Sequence, residues 1–166
     1  MSRFTQVLLV SPMDDGNTWI LMRDFGYEVG EEASGDTIEV PIGFMTDFAS
    51  VPWIFQWWIP KWGKYGNAAV IHDWLYWSQS RPRRASDLIL LEAMEVMGVD
   101  GIRKNAIFFG VRALGWWAWL RNQEDQESGF NRVLQVLELK SGARSLRRGS
   151  LHQIFNAVIR RARTGN

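Results

Sequence analysis

The sequence predicts an α+β fold: a small N-terminal antiparallel sheet, a Trp-rich bundle of about three helices, and a basic C-terminal helical arm. Three observations carry this. Short β-type runs broken by turn residues fill roughly the first forty positions. Apolar segments of helical length, separated by caps and breakers, fill residues 66–120. The charge then reverses sign along the last part of the chain.

Residues 4–10 read as a strand, ended by Ser11-Pro12 and the Asp14-Asp15-Gly16-Asn17 turn. Residues 18–23 form a second strand, and the alternating run 25–29 continues it. A polar, Gly-containing loop covers 30–36, and 37–42 is the next strand. Pro41 cannot donate to a ladder, so that strand sits at an edge or stops there. Residues 53–58 make an aromatic helical turn, broken by Pro60 and Gly63. Residues 66–79 have the length and composition of a buried helix. Ser80 is placed as the N-cap of a helix over 82–97, with Pro82 in its first turn and Gly98 as its stop. Asp100 caps a helix over 101–120. A polar linker covers 121–130, and the arm occupies 131–166. Residues 130–139 read as strand or helix, with Val133, Leu134, Val136 and Leu137 fitting a helical face better. Positions 151, 154, 155, 158 and 159 give residues 150–163 a clean amphipathic pattern. The α+β domain is therefore placed at 1–120.

Composition bounds the chemistry. The 166 residues are 46% hydrophobic, which suits a packed domain and excludes disorder throughout. Cysteine is absent, so disulfides, thiolate metal sites and Cys nucleophiles are excluded. His72 and His152 are the only histidines, too few for a multi-histidine metal site. His152 reads as structural or surface. The ten tryptophans suggest a large aromatic core, an interface or a membrane belt. Residues 1–130 hold eleven basic and seventeen acidic side chains, a net of −6; residues 131–166 hold eight and one, a net of +7. The basic arm, with Arg144, Arg147, Arg148, Arg160, Arg161 and Arg163, suits an anionic target. Nucleic acid, a lipid surface, a partner subunit and the acidic body itself all qualify. No secretion signal is visible at the start. The longest apolar stretch, 105–120, contains Arg112 and falls short of the ~20 residues a spanning helix needs.

Candidate chemistry centres on 68–76. His72 and Tyr76 lie four apart and share a helix face. Asp73 is turned from them. Ionisable groups in so apolar a segment need partners. Asp87 is the first. The link between the helices is very short, so they pack antiparallel with positions 72 and 87 at similar levels. An Asp facing a His would fix its tautomer and raise its basicity. Asp47, in the polar stretch that also holds Ser50, is the second. Asp47, Asp73 and Asp87 offer oxygen ligands to a hard cation, Ca2+ or Mg2+. A satisfied core network with no catalysis explains the same residues. Arg83 and Arg84 read as a solvated face or as ion-pair donors. The Gly63–Gly66 loop reads as helix termination.

Three stretches together, Val40-Pro-Ile-Gly-Phe-Met-Thr-Asp-Phe-Ala-Ser-Val-Pro52, Gly66-Asn-Ala-Ala-Val-Ile-His-Asp-Trp-Leu-Tyr76 and Arg84-Ala-Ser-Asp87 with Ala93-Met94 and Gly98, resemble one family. It is the "domain of unknown function 1353" family of bacteriophage and prophage proteins. The resemblance covers residues 5–119 and not the tail. It implies a phage context and a polar set at Asp47, Ser50, His72, Asp73, Tyr76 and Asp87. A looser resemblance is to secreted phospholipases, in which a helical His-Asp is followed by a Tyr three residues on, as at His72-Asp73 and Tyr76. There the His activates water, the adjacent Asp binds calcium, and a later helix supplies an Asp to the His. The chain departs from that family in having no cysteines and no glycine-rich calcium loop at the usual spacing.

Two readings of function follow. In one, the protein is a hydrolase acting on a cell-envelope lipid ester or peptidoglycan, with His72 as base, Asp87 orienting it and Tyr76 donating a hydrogen bond. In the other, it is a non-catalytic virion component of tail, neck or interior, docking to other phage proteins or DNA through its arm. A host-directed effector binding anionic lipid at the inner membrane ranks third. The expected location is the virion, the host cytoplasm or the inner envelope face.

Overall fold

The computed structural model describes residues 2–48 and 65–134. The expected aromatic turn at 53–58, Ser50, His152 and the amphipathic segment 150–163 lie outside the described residues, as do Arg144, Arg147, Arg148, Arg160, Arg161 and Arg163. The architecture is α+β, an antiparallel N-terminal part followed by three helices.

The strands are β1 (Arg3–Phe4), β2 (Val10–Pro12), β3 (Trp19–Leu21), β4 (Phe25–Glu28), β5 (Thr37–Val40) and β6 (Met45–Thr46). They form two three-stranded sheets, ordered β1-β4-β5 and β2-β3-β6. Two expected strands are thus divided. The run 4–10 breaks into β1 and β2, which belong to different sheets. The run 18–29 breaks at Met22–Asp24, so β3 and β4 pair with different partners. Asp24 holds that break, its carboxylate accepting from the Ile42 amide at 2.8 Å.

In the first sheet Phe25 faces Val40 and Tyr27 faces Ile38 across the ladder. Thr37 and Glu39 are exposed and Ile38 and Val40 buried, the alternation of a one-sided sheet. Pro41 follows β5 directly, as expected. Gly26 is needed on the central strand: a Cβ there would come within 2.5 Å of Thr5 Oγ1 and 3.2 Å of the Ile38 carbonyl.

Helix α1 (Gly66–Ser78) is the buried element, with ten of its thirteen residues inside. Gln79, in the left-handed region at φ 49°, ends it. Arg81 in the following link clamps Asp36 of the β4–β5 loop. Helix α2 (Arg83–Val96) begins after Pro82, which takes the N-cap position expected of Ser80 and offers no side-chain cap. Pro82 fits there because it has no amide to satisfy. Gly98, at φ 65°, ends this helix.

Helix α3 (Gly101–Glu127) starts as expected, with Asp100 accepting from the Ile102 and Arg103 amides, each at 3.1 Å. It then runs through 121–127, where the polar composition had suggested a linker. Polarity there marks an exposed helix face rather than a break, and Gly129 at φ 82° is the real stop. Past it, the chain returns to the second sheet. Met45 N donates to Arg132 O at 2.8 Å, and Leu134 N to Gly43 O at 3.0 Å. The start of the supposed arm is therefore extended chain bridged to the body, not helix. Gly43, at φ 87°, is required twice over: a Cβ would also collide with the Leu134 carbonyl.

The core joins both layers. Phe25, Tyr27, Val40 and Phe44 of the N-terminal part pack with Ile71, Leu75, Leu90, Met94 and Ile107 of the helices. Of the described tryptophans, Trp77 is buried and Trp19, Trp74 and Trp119 lean on the core, whereas Trp116 and Trp117 are exposed.

Candidate functional site

Asp87 is the hub of the helical part. It sits just inside the start of α2, fully buried. His72 Nε2 lies 3.1 Å from its Oδ1, and the Tyr76 hydroxyl donates to the same oxygen at 2.6 Å. Its other oxygen accepts from Arg112 Nη1 of α3 at 2.6 Å, with Arg83 Nη1 at 3.5 Å. All three helices thus converge on one carboxylate. Burial works against its charge, but the hydrogen bonds from His72, Tyr76 and Arg112 outweigh burial and hold the carboxyl below the usual Asp range. The carboxylate is ionised at neutral pH and can only accept. His72 must therefore carry its proton on Nε2, and a neutral imidazole then has its basic lone pair on Nδ1. The Tyr76 phenol is pushed well up, by burial and by the Asp87 charge beside it, so it stays a neutral donor.

His72 and Tyr76 share a face as their spacing implies, with ring centroids 4.1 Å apart. Trp119 meets Tyr76 edge-on at 5.3 Å. Gly115 lets α3 come this close, since a Cβ there would stand 2.5 Å from the Tyr76 hydroxyl.

Asp73 points to another partner. Its Oδ2 accepts from the buried Thr46 hydroxyl at 2.5 Å, and Thr46 Oγ1 in turn accepts from the Phe48 amide at 3.2 Å. Phe48 is buried with φ 50°, a left-handed conformation costly for an aromatic residue. This strained turn places Asp47 beside α1.

Asp47, His72, Asp73 and Tyr76 line one cleft of about 860 Å3 between α1 and the second half of α3. Leu114, Gly115, Trp117 and Leu120 supply its apolar wall, and Arg121, Glu124 and Arg132 its charged rim. His72 is only 2% exposed and forms a small part of that wall.

The structure thus brings His72, Tyr76 and Asp87 into direct contact, and sets Asp47 and Asp73 along the same cleft. It does not unite the three acids, because Asp87 is spent on His72, Tyr76 and the arginines. Among the described residues no group of three or more His, Asp or Glu is arranged to hold a metal. Asp47 and Asp73 alone fall short of the six to eight oxygens calcium takes, so the described residues do not by themselves make a cation site.

Sequence reasoning missed Arg112 and Thr46. Arg112 had a signal: it is the lone cation in the apolar stretch 105–120, and a cation there needs a buried acid. Thr46 had none beyond its polar neighbourhood. Arg83 behaves as one of its two expectations, an ion-pair donor.

No curated protein and no solved structure gives a significant match to the chain. A family model described as "Protein of unknown function (DUF1353)" matches residues 19–111. The matched segment runs from β3 into α3 and contains Asp47, Ser50, His72, Asp73, Tyr76 and Asp87. With more than half of its length matched, the chain belongs to the DUF1353 family.

Proposed function

We propose that this protein is a bacteriophage or prophage hydrolase of a cell-envelope component, a lipid ester or a peptidoglycan bond. One observation carries the reading: a histidine held by an ionised, buried Asp at the wall of an open cleft. In this reading His72 takes a proton from water as the water attacks the substrate carbonyl, then returns it to the leaving oxygen or nitrogen as the ester or amide bond breaks. The imidazolium that forms is stabilised by Asp87, and Arg112 and Arg83 keep Asp87 charged throughout. Tyr76 stays protonated and fixes the carboxylate's orientation. Asp47 and Asp73 are the carboxylates that would assist a water-rich Ca2+ or Mg2+ at the cleft. The protein would work in the virion, the host cytoplasm or at the inner envelope face.

The test is a mass-spectrometric hydrolysis assay with bacterial envelope lipids and with peptidoglycan, each with calcium and with chelator. His72→Ala should lower turnover by roughly 10²–10⁴, the range of general-base catalysis, while the variant remains folded. Loss of activity with chelator, restored by calcium, would support the cation.

A second reading has its own observation. His72 is nearly sealed, and no buried side-chain nitrogen or oxygen among the described residues lacks a partner. A non-catalytic virion protein would need such a network for stability alone. A folded wild type that yields no product from either substrate, with His72→Ala merely less stable, would favour it.

A further inference from the structure

Helix α3 is apolar on both sides. Its packed side carries Ile107, Gly110 and Val111, all buried. Residues 102, 109, 113, 116 and 120 recur at helical spacing on the opposite side. There Ile102 is 73%, Phe109 66%, Trp116 42% and Leu120 44% exposed. Helices that are apolar all round are covered all round.

The end of that face is unusual in charge. Glu124 and Glu127 continue the exposed stripe, with Asp125 beside them, and α3 has no basic residue in its last turn. Acids there oppose the helix dipole, which favours cations at a C-terminus. Among the described residues none of the three is in an ion pair. The face therefore asks for an occupant that is apolar along most of its length and cationic at one end.

We infer that the amphipathic segment 150–163 of this same chain docks along the outer face of α3. Its apolar positions 151, 154, 155, 158 and 159 are followed directly by Arg160, Arg161 and Arg163. Laid parallel to α3, Leu151 lies beside Ala113, Phe155 beside Trp116 and Ile159 beside Leu120, which brings Arg163 level with Glu124. An antiparallel arrangement would instead carry the arginines toward Arg103 and Lys104. Residues 135–149 connect Leu134 to the segment and reach up to about 50 Å, whereas the whole of α3 is about 40 Å long. The charges agree on the larger scale too, +7 in the arm against −6 in the body. Leu120 and Glu124 belong to the cleft wall, so the docked segment runs along the rim of the candidate site.

The test uses the full chain, which has no native thiol to compete. Two double variants, Ala113→Cys with Leu151→Cys and Glu124→Cys with Arg163→Cys, are oxidised at low protein concentration. A third, Glu31→Cys with Arg163→Cys, is the remote control. The first two should close as intramolecular disulfides at least about tenfold faster than the control, since docking raises the local concentration above that of a loose tether. Closure no faster than the control overturns the inference. Disulfide-linked dimers formed instead would assign the face to a second copy and overturn it as well.

Charge reversal gives an independent readout, chymotryptic cleavage at Phe155. Glu124→Lys with Glu127→Lys should speed cleavage several-fold, as should Arg160→Glu with Arg161→Glu and Arg163→Glu. The combined swap should restore slow cleavage. Cleavage equally fast in wild type, with anionic phospholipid vesicles bound through Phe109 and Trp116, would give the face to a membrane and overturn the inference.

Discussion

Helices α1 and α3 are both apolar and tryptophan-bearing, yet they are used in opposite ways. Ten of the thirteen residues of α1 are buried, against four of the twenty-seven of α3. Position in the fold makes the difference. α1 lies between the N-terminal sheets and the other two helices, so every side finds cover. α3 closes the bundle on one side and has described neighbours only on the other. The lesson is that apolar composition tells how much cover a helix needs, and topology tells how much it has received. For α1 the account is complete, and its polar residues form the site. For α3 it is incomplete, and the missing cover points to the rest of the chain.

The largest test of this contrast is Asp87→Ala. It leaves His72, Tyr76 and two arginines without their shared acceptor, at a cost of roughly 3–5 kcal/mol. Glu39→Ala, on the exposed side of β5, should change stability by no more than about 0.5 kcal/mol. Urea denaturation of both checks it, and equal effects would break the comparison. Gly115→Ala comes next. Its methyl would press on the Tyr76 hydroxyl, and overpacking of this kind costs about 1–3 kcal/mol. Asn105→Leu, exposed on the same helix and outside the stretch laid against the C-terminal segment, should be tolerated far better in thermal unfolding.

Trp116→Ser, at the position laid beside Phe155, sharpens the comparison on the outer face itself. With the face covered, the loss of a buried aromatic should cost about 1.5–3 kcal/mol; with the face open, the change should be clearly smaller. The smallest effect is on pH dependence. Asp87 titrates below its unfolded value, so its contribution is present above an unfolded pKa of about 3.9 and is lost as pH falls through the folded one. Tyr76 titrates above its unfolded value, so its contribution holds below about 10 and is lost as pH rises beyond that. Denaturation midpoints across pH should therefore fall at both extremes, and Asp87→Asn should flatten the acid limb.

Helix positions were legible because capping and glycine stops are local. Asp100 and Gly98 act where the sequence places them. The His72–Asp87 pair was legible for a similar reason, since a short link fixes two antiparallel helices in register. What was not legible depends on distant chain. Nothing local says that residues 4–10 serve two sheets, or that Arg112 reaches Asp87 from a third helix. Nor does local composition reveal that 121–127 stay helical, because a polar run looks the same on an exposed helix as in a linker. Asp73 turning to Thr46 rather than to the His–Asp pair likewise rests on how the β6 turn meets α1.

The pairing of residues 132–134 with Gly43–Met45 has a consequence for how the chain is made. Gly43 and Leu134 are 91 positions apart, so this pairing waits until 91 further residues have been made. Until residue 134 emerges, the backbone groups beside β6 stay open to other strands, a known route to aggregation. Arg112 also arrives late, after the acid it neutralises has been synthesised on α2. The chain through residue 111 therefore holds the family's sequence and Arg83, but neither Arg112 nor the closing pair. Successful biogenesis depends on timing: a host able to shelter that open edge until residue 134 has emerged should yield far more soluble protein than one that cannot.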